Sequence, residues 1–226
     1  TISFTVKIRK RSMSYSIIIG IDPGISGAVA IFEGITSPKV LLFDTPTWTE
    51  SKVKKKKKSY IKHYDKAAMA DLLRPYAGKD VVVCMEKVGA MTGQGVTSMF
   101  SFGRGVGLWE GVIAGLGFDY EEVSPSVWKK EYGDRLIQKR IPKPDEAKLT
   151  RAELAKMDEK KREAAKDIKR EYEAEKRRGK QSAKDTAREL AMELYPEVKD
   201  DLSKKRDSDR AEALLIAERK RRELDA

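Results

Sequence analysis

Residues 17–33, IIIGIDPGISGAVAIFE, hold the stretch that decides the fold. An apolar run rich in β-branched residues ends at Asp22, Pro23-Gly24 makes a turn, and a second apolar run begins a few residues later. This order predicts two antiparallel strands, with the carboxylate of Asp22 at the edge of the sheet. Residues 39–44, KVLLFD, predict a third strand, so we expect the chain to open with an antiparallel meander.

Two further strands and two helices are predicted in the middle of the chain. Residues 80–86, DVVVCME, are apolar almost throughout and predict a central strand. Residues 118–123, FDYEEV, predict a fifth strand. The spacing of apolar residues predicts a helix over 63–76, and a short helix is expected to begin after Ser124, because serine followed by proline is typical of a helix start.

Residues 96–116 predict a helix in which glycine recurs at every fourth position from Gly103 to Gly115. Each glycine inside a helix costs about 1 kcal/mol relative to alanine, so this helix needs a packing reason. Glycines four apart share one slowly rotating face, which another backbone could approach closely. Two interpretations remain open: the helix packs tightly on its own sheet, or the same face also meets a second subunit.

The last third of the chain is predicted to be helical. Residues 145–178 contain neither glycine nor proline and have only a thin apolar seam, which predicts a long, mostly solvated helix or a helical hairpin. Residues 181–194 predict a separate helix that ends before Pro196, and residues 208–224 predict the last helix.

The composition limits the class of protein. The chain has 226 residues, a formal net charge of +11 and 37% charged residues. Its single cysteine, Cys84, cannot form an internal disulfide, and no apolar run approaches the roughly 20 residues of a membrane helix. These features disfavour disulfide-rich secreted proteins, membrane proteins and disordered chains, and they predict a cytoplasmic protein. The positive charge favours a polyanionic partner, nucleic acid before a membrane surface.

The positive charge is concentrated in three segments. Residues 1–16 form a predicted basic N-terminal arm of charge +4, residues 52–66 carry +7, and residues 143–180, a predicted charged helical insertion, carry +4. The rest of the chain is then at about −4. We therefore expect the periphery to bind DNA phosphates. The candidate DNA-binding residues of segment 52–66 form an unbroken lysine run in a predicted loop: Lys54, Lys55, Lys56, Lys57 and Lys58.

Four acidic residues are candidate metal ligands. Asp22 and Glu86 end apolar strands, while Asp209 and Glu212 lie three apart on the last predicted helix and hence on one face. If the first and fourth strands are neighbours in the sheet, all four carboxylates can meet at one place. Mg²⁺ prefers such oxygen ligands, and two ions about 4 Å apart can activate a water and stabilise a departing 3′-oxygen.

Five motifs stand out along the chain: GIDPGISGAVAIF at 20–32, MEKVGAMTGQGVTSMFSFGRGVGLWEGVIAG at 85–115, VSPSVWKK at 123–130, SAKDTARELAMELYP at 182–196 and DSDRAEALLIA at 207–217. Together they cover about a third of the sequence. In the same order, they resemble the motifs of RuvC-type Holliday junction resolvases and their phage relatives.

The resemblance implies an RNase H-like α/β fold, in which residues 17–226 form one nuclease domain with a five-stranded mixed sheet flanked by helices. It implies a homodimer whose interface involves the helix after the second acid. It also implies Mg²⁺-dependent, paired cleavage of branched DNA at four-way junctions, leaving 5′-phosphates.

The resemblance also assigns roles to individual residues. Two Mg²⁺ ions, for which Mn²⁺ is expected to substitute, would be held by Asp22, Glu86, Asp209 and Glu212, with Asp22 bridging both ions. Lys184 would serve both catalysis and DNA binding. Arg104 and Lys129 complete the set of candidate DNA-binding residues.

Some positions depart from the family pattern. Glu212 stands where aspartate is common in bacterial members, and Asp207 is a nearby alternative ligand. Gly89 falls where those members carry an aromatic wedge, a role for which Met91 and Phe100 are candidates. The lysine run and the insertion have no counterpart in the family, which predicts a looser substrate preference.

Three alternatives remain at the level of sequence. The first is another RNase H-like nuclease that acts on branched DNA or RNA–DNA hybrids. The second is a non-catalytic junction-binding protein, which the complete acidic set disfavours. Sugar kinases and actin-like ATPases also open with a strand, an aspartate and a glycine turn, but they need a second phosphate loop in a duplicated domain, and this sequence does not repeat its first motif.

The single histidine, the single cysteine and the three tryptophans are further candidates for a functional role. His63 is predicted to be a surface or capping residue and Cys84 a core residue. Trp109 and Trp128 are predicted to pack in the core, whereas Trp48, in a predicted polar loop, is a candidate for stacking on a base.

Overall fold

The computed structural model describes residues 14–54, 57–89, 95–136 and 141–226. Its strands are β1 (Ile17–Asp22), β2 (Ala28–Glu33), β3 (Lys39–Asp44), β4 (Thr47–Lys54), β5 (Lys57–Tyr64), β6 (Val81–Glu86) and β7 (Asp119–Val123). Five of them form one sheet in the order β3-β2-β1-β6-β7, antiparallel from β3 to β1 and parallel from β1 to β7. The predicted meander and the five-stranded mixed sheet are confirmed.

Helices cover both faces of this sheet. They are α1 (Lys66–Leu73), α2 (Val96–Leu116), α3 (Pro125–Lys130), α4 (Asp145–Lys148), α5 (Arg151–Ala155), α6 (Glu159–Leu194) and α7 (Ser208–Asp225). Because side chains alternate along a strand, Ile18 packs in one core with residues of α3, α6 and α7, while Ile19 packs in the other with α1 and α2. This arrangement confirms the predicted α/β class.

Gly20 explains how α7 comes close to the central strand. A Cβ at this position would overlap the carbonyl oxygen of Ala213 and lie 2.7 Å from the backbone nitrogen of Ala217. Only a glycine therefore lets the α7 backbone lie directly on β1. The first turn of α7 is thereby brought to the end of β1 that carries Asp22.

The segment before α1 differs from its prediction. Residues 63 and 64 end strand β5, and α1 begins only at Lys66, after Asp65 accepts a hydrogen bond from the backbone N–H of Ala68 at 3.0 Å. Strands β4 and β5 pair as an antiparallel hairpin that includes Lys54, Lys57 and Lys58, so the predicted loop is wrong for these three lysines, while residues 55 and 56 lie outside the described residues. The hairpin escaped prediction because both of its faces are largely exposed, which removes the alternation of apolar and polar residues.

The C-terminal third also differs from its prediction. Residues 145–155 form two short helices, and a single 36-residue helix, α6, then runs through Gly179 to Leu194. The long, mostly solvated helix expected over 145–178 is confirmed from residue 159 on. Its expected separation from a helix over 181–194 is wrong, because one glycine costs a helix only about 1 kcal/mol and does not end it. At 1.5 Å per residue, α6 is about 54 Å long.

Helix α2 has the predicted bounds, but its glycines do not pack on the sheet. A Cβ added to Gly103, Gly107, Gly111 or Gly115 would meet no atom within 4 Å. The close approach occurs instead at Gly105, where a Cβ would overlap the Tyr64 ring. The interpretation that the glycine repeat packs on its own sheet is therefore wrong, and that face is open.

Two features concern the extent of the chain. Residues 1–13 of the predicted basic arm lie outside the described residues, and the division into arm, nuclease domain and insertion stays a prediction. Within the described ranges, no helix is both long enough and apolar enough to span a membrane.

Candidate metal centre

Three carboxylates meet where β1 ends and α7 begins. Asp22, Asp209 and Glu212 each offer an oxygen, and these oxygens lie within 4.8 Å of one another. Asp22 is the last residue of β1, while Asp209 and Glu212 lie one turn apart at the start of α7. The structure thus brings together three of the four predicted ligands.

Glu86 ends the neighbouring strand at the same edge of the sheet. Strands β1 and β6 run parallel with Ile21 opposite Met85, so Asp22 and Glu86 occupy equivalent positions. The carboxylate of Glu86 accepts a hydrogen bond from Trp128 Nε1 at 3.0 Å. Glu86 therefore stands beside the three-carboxylate cluster, held by Trp128.

The electrostatics of these acids differ from those of surface carboxylates. Burial, followed by repulsion from Asp209, Glu212 and Glu86, raises the pKa of Asp22 well above its usual value. Burial and the charge of Glu212 also raise the pKa of Glu86, against the opposing effect of the Trp128 hydrogen bond. The folded chain thus holds like charges together at a cost, which an added cation would relieve.

Two of the predicted lysines pair with this cluster. Lys129 donates to Glu212 Oε1 at 2.9 Å, and Lys184 donates to Asp209 Oδ1 at 2.6 Å. Burial lowers the pKa of Lys184, but the hydrogen bond to Asp209 and the surrounding carboxylates together raise it above the usual value. Both lysines therefore compensate part of the negative charge of the site.

A tyrosine that the sequence did not point to lies near the same site. Tyr64 ends β5 and is buried, and its hydroxyl has no hydrogen-bond partner among the described residues. Burial and the nearby charge of Asp22 raise the pKa of Tyr64, whereas Arg104 lowers it. Arg104, a predicted DNA contact, is exposed on α2. The hairpin, α2 and the acidic site thus meet around Tyr64.

The alternative ligand Asp207 has a different role. Its Oδ2 accepts a hydrogen bond from the backbone N–H of Lys204 at 2.8 Å, which closes the turn before α7. Asp207 lies outside the group of three carboxylates.

The candidates for an aromatic wedge are only partly described. Phe100 is 75% exposed near the start of α2, as a wedge would require, whereas Met91 lies outside the described residues. Gly89 is described, with no atom within 4 Å of an added Cβ.

The lysine run and the aromatic candidate Trp48 lie on the hairpin. Residues 55 and 56, and the side chains of Lys54 and Lys57, lie outside the described residues, and Lys58 is exposed. Trp48 is in β4 rather than in a loop. His63 is in β5 rather than before a helix, but its side chain is 33% exposed and its Nε2 lies 3.0 Å from Glu50 Oε2, which agrees with the predicted surface role. The Trp48 ring is 51% exposed and stacks on the His63 ring with centroids 4.5 Å apart.

The donor set fits a hard divalent cation. Three carboxylate oxygens lie close together, and Asp22 is held there in spite of burial and repulsion. Carboxylate oxygens are the protein ligands that Mg²⁺ and Mn²⁺ prefer. The acidic cluster could therefore hold a divalent cation, with Glu86 beside it as a further ligand.

Trp128 is the residue whose function sequence reasoning missed. It was predicted to pack, and it is indeed fully buried, but its N–H also holds Glu86. The one available signal was its place in a short helix beside Lys129, because a buried tryptophan needs a partner for its N–H.

No protein-family profile matches the chain, and no curated protein matches it. Among the solved structures that are similar to part of the chain are two of RuvC. A structure of RuvC from T. thermophilus in complex with a Holliday junction substrate is 12% identical, with 54% of this chain and 72% of that chain covered and a TM-score of 0.37. A Thermus thermophilus RuvC structure is 16% identical, with 50% and 67% covered and a TM-score of 0.32. Values this low establish no activity for this chain, which has to be argued from its own residues.

Proposed function

We propose that the chain is a metal-dependent, structure-selective DNA endonuclease that resolves four-way junctions and leaves 5′-phosphates. The observation that carries this proposal is the group of three carboxylates, from Asp22, Asp209 and Glu212, with Glu86 beside it. A nucleic-acid substrate is supported by the net charge of +11 and by the location of the positive charge in segments outside the acidic centre.

The four acids would hold two Mg²⁺ ions. Such ions activate water for attack on a phosphodiester and stabilise charge on the departing 3′-oxygen. Trp128 keeps the Glu86 carboxylate oriented towards the same edge of the sheet. Burial of Asp22 keeps bulk water away from its carboxylate, which strengthens its attraction for a cation.

Lys129 and Lys184 have two successive partners in this proposal. In the metal-free chain they pair with Glu212 and Asp209. A bound cation would compete with both ammonium groups for those carboxylates, and the lysines could then donate to phosphate oxygens of the cleaved strand. Arg104 and the lysine run at the hairpin tip would bind phosphates farther from the cleaved bond.

We further propose a homodimer through the open face of α2, since paired cleavage needs two sites. The face has no contact at Gly107, and beside it lies a groove of about 310 Å³ lined by apolar residues that include Val88, Phe102 and Val106. Phe100, which is largely exposed, lies on the same helix. A second copy of the helix could approach the glycines closely.

The test compares wild type and Asp22→Asn on a labelled four-way junction with Mg²⁺. Wild type should cut in paired strands and leave 5′-phosphates, and Asp22→Asn should bind the junction without cutting it. Asp71→Asn is the matched control, because Asp71 is an exposed residue of α1 outside the acidic group, and it should cut at the wild-type rate.

The same assay separates the proposal from its alternatives. A flap, an RNA–DNA hybrid and a linear duplex are offered beside the junction. Faster cleavage of the hybrid or the flap would assign the site to another type of nuclease. Binding without cleavage by wild type in Mg²⁺ and Mn²⁺ would contradict the enzymatic proposal, and cleavage by Asp22→Asn at the wild-type rate would contradict the site.

A further inference from the structure

We propose that one face of α6 is a binding surface for a DNA duplex, which guides one arm of the substrate to the metal centre; this rests on the function proposed above. The surface, called the α6 stripe, lies between Arg162 and Lys184. Its cations are Arg162, Lys166, Lys169, Arg170, Arg177, Lys180 and Lys184.

The helical period places these cations on one face. Most successive members lie three or four residues apart, and such residues are neighbours on a helix surface. The exceptions are Lys169 and Arg170, which are adjacent, and Arg177, which follows Arg170 by seven residues, or about two turns. The last of them, Lys184, reaches Asp209 at 2.6 Å in the metal centre. Because α6 is continuous from Glu159 to Leu194, the stripe and the metal centre share one rigid element.

The charge of this part of α6 is not spread evenly. Between residues 162 and 184, the stripe holds seven cations and two carboxylates, those of Glu163 and Glu173. The remaining positions of the same span hold two cations and three carboxylates. The positive surplus therefore belongs to the stripe, whereas a generally solvated helix would mix both signs on every face.

Three cations of the stripe are accessible. Lys169, Arg177 and Lys180 are exposed, and within the described ranges none of them pairs with a carboxylate. The packed face of α6 borders the stripe at its N-terminal end, since Ala165 is 4% exposed and the helix contacts α4. The exposed part of the stripe is therefore the stretch from Lys169 to Lys180.

The length of the stripe fits a duplex arm. From Arg162 to Lys184 the helix rises about 33 Å at 1.5 Å per residue. B-DNA rises about 3.4 Å per base pair, so this length corresponds to about ten base pairs measured from the metal centre. DNA also offers about one negative charge per 1.7 Å of its axis, which supplies a phosphate near each cation.

The test measures junction binding by fluorescence anisotropy in EDTA, so that no cutting occurs. A triple variant, Lys169→Gln, Arg177→Gln and Lys180→Gln, removes three accessible cations of the stripe. The matched control removes the same charge from the other faces of the same helix, through Lys160→Gln, Lys161→Gln and Arg178→Gln. Circular dichroism checks that both variants keep the wild-type helix content and melting temperature.

The expected result is a change in salt dependence. Each lost phosphate contact flattens the plot of log K against log salt by about 0.9, so the stripe variant should lose about 2 to 3 from the slope. Between about 50 and 200 mM salt, the affinity of wild type should then fall about 40-fold more than that of the stripe variant. The control variant should keep most of the wild-type slope.

A second substrate tests the direction of the stripe. Junctions with arms of about five base pairs, capped by hairpin loops, end before they can reach Lys169. The defect of the stripe variant should shrink on these short arms.

Equal slopes for the stripe and control variants, or an equal defect on long and short arms, would overturn the proposal. These outcomes are independent of the nuclease proposal, because that one is tested by which substrates wild type cuts in Mg²⁺ or Mn²⁺ and not by the salt dependence of binding.

Discussion

Replacing Trp128 by phenylalanine should weaken cation binding at the acidic site. The change keeps an aromatic ring in the core but removes the N–H that Glu86 accepts at 3.0 Å. Burial raises the pKa of Glu86 and the Trp128 hydrogen bond opposes that effect, so the pKa of Glu86 should rise further in the variant. Because a cation needs the ionised carboxylate, the loss should appear in the affinity for the metal.

The size of the effect follows from the charge of the acceptor. A hydrogen bond to a charged group contributes about 1.5–3 kcal/mol, and about 1.4 kcal/mol corresponds to a factor of ten. Without a metal, Glu86 of the variant can take up a proton, which avoids most of the free energy lost with the hydrogen bond. With a metal bound, Glu86 has to stay ionised, and the variant bears the full loss. We therefore expect the affinity for Mn²⁺ to fall about 10- to 100-fold, the range found when residues that orient metal ligands are removed.

Trp109 provides a matched control for this measurement. It is also fully buried, but its Nε1 has no hydrogen-bond partner among the described residues. Trp109→Phe should therefore have a comparable cost in core packing without an effect on Glu86. Mn²⁺ affinity is measured by isothermal titration at pH 7, and thermal unfolding in EDTA reports the packing cost of both variants.

The comparison has a clear negative outcome. If Trp128→Phe binds Mn²⁺ as tightly as Trp109→Phe does, Glu86 is not a ligand or its orientation does not matter. A loss in Trp128→Phe that becomes smaller as the pH is raised is the expected signature, because higher pH restores the ionised form of Glu86.

Four further changes test other parts of the structure. Gly20→Ala should lower the free energy of unfolding by more than the usual overpacking cost of about 1–3 kcal/mol, because the new Cβ meets the α7 backbone; Gly24→Ala, with its nearest atom at 3.4 Å, should cost much less in the same denaturant titration. The pKa of Asp22 is raised in the folded chain, so the metal-free protein should lose stability as the pH rises above about 4, and Asp22→Asn should remove that loss and melt higher at pH 7. Gly107→Leu should keep or raise the melting temperature of the monomer but abolish the proposed dimer in sedimentation velocity, and an intact dimer would place the interface elsewhere. Lys184→Gln should weaken junction binding more with a divalent cation than in EDTA, since Lys184 is paired with Asp209 in the metal-free site.

The middle of the central sheet could be predicted because its three inner strands are buried on both faces. Strands β1, β2 and β6 are continuous apolar runs that end in a turn or an acid, and Asp22 and Glu86 stand at those ends. The convergence of the two acids follows from the parallel pairing of β1 and β6. The start of α7 could be placed beside them because Asp209 and Glu212 share one face of a helix.

The remaining features depend on contacts that the sequence does not display. The β4–β5 hairpin buries few side chains, so its residues show no alternation of apolar and polar side chains. The helix predicted from the apolar spacing after the hairpin therefore begins too early and includes Tyr64, which belongs to β5. The glycines of α2 suggested close packing, but their face is open, and the only tight approach is at Gly105. The role of Trp128 depends on the position of one N–H, which no residue pattern encodes.

The pairing of lysines with carboxylates gives the site a charge that depends on its occupancy. Asp22, Glu86, Asp209 and Glu212 together with Lys129 and Lys184 have a formal charge of −2, and both ammonium groups are engaged by carboxylates. Two divalent cations would change this to +2 and would compete with the lysines for their carboxylate partners. Binding of a phosphate at the centre is then coupled to the metal, whereas the α6 stripe has the same charge with or without it. DNA can therefore be held at the periphery before the centre is able to accept a strand, which separates capture from cutting.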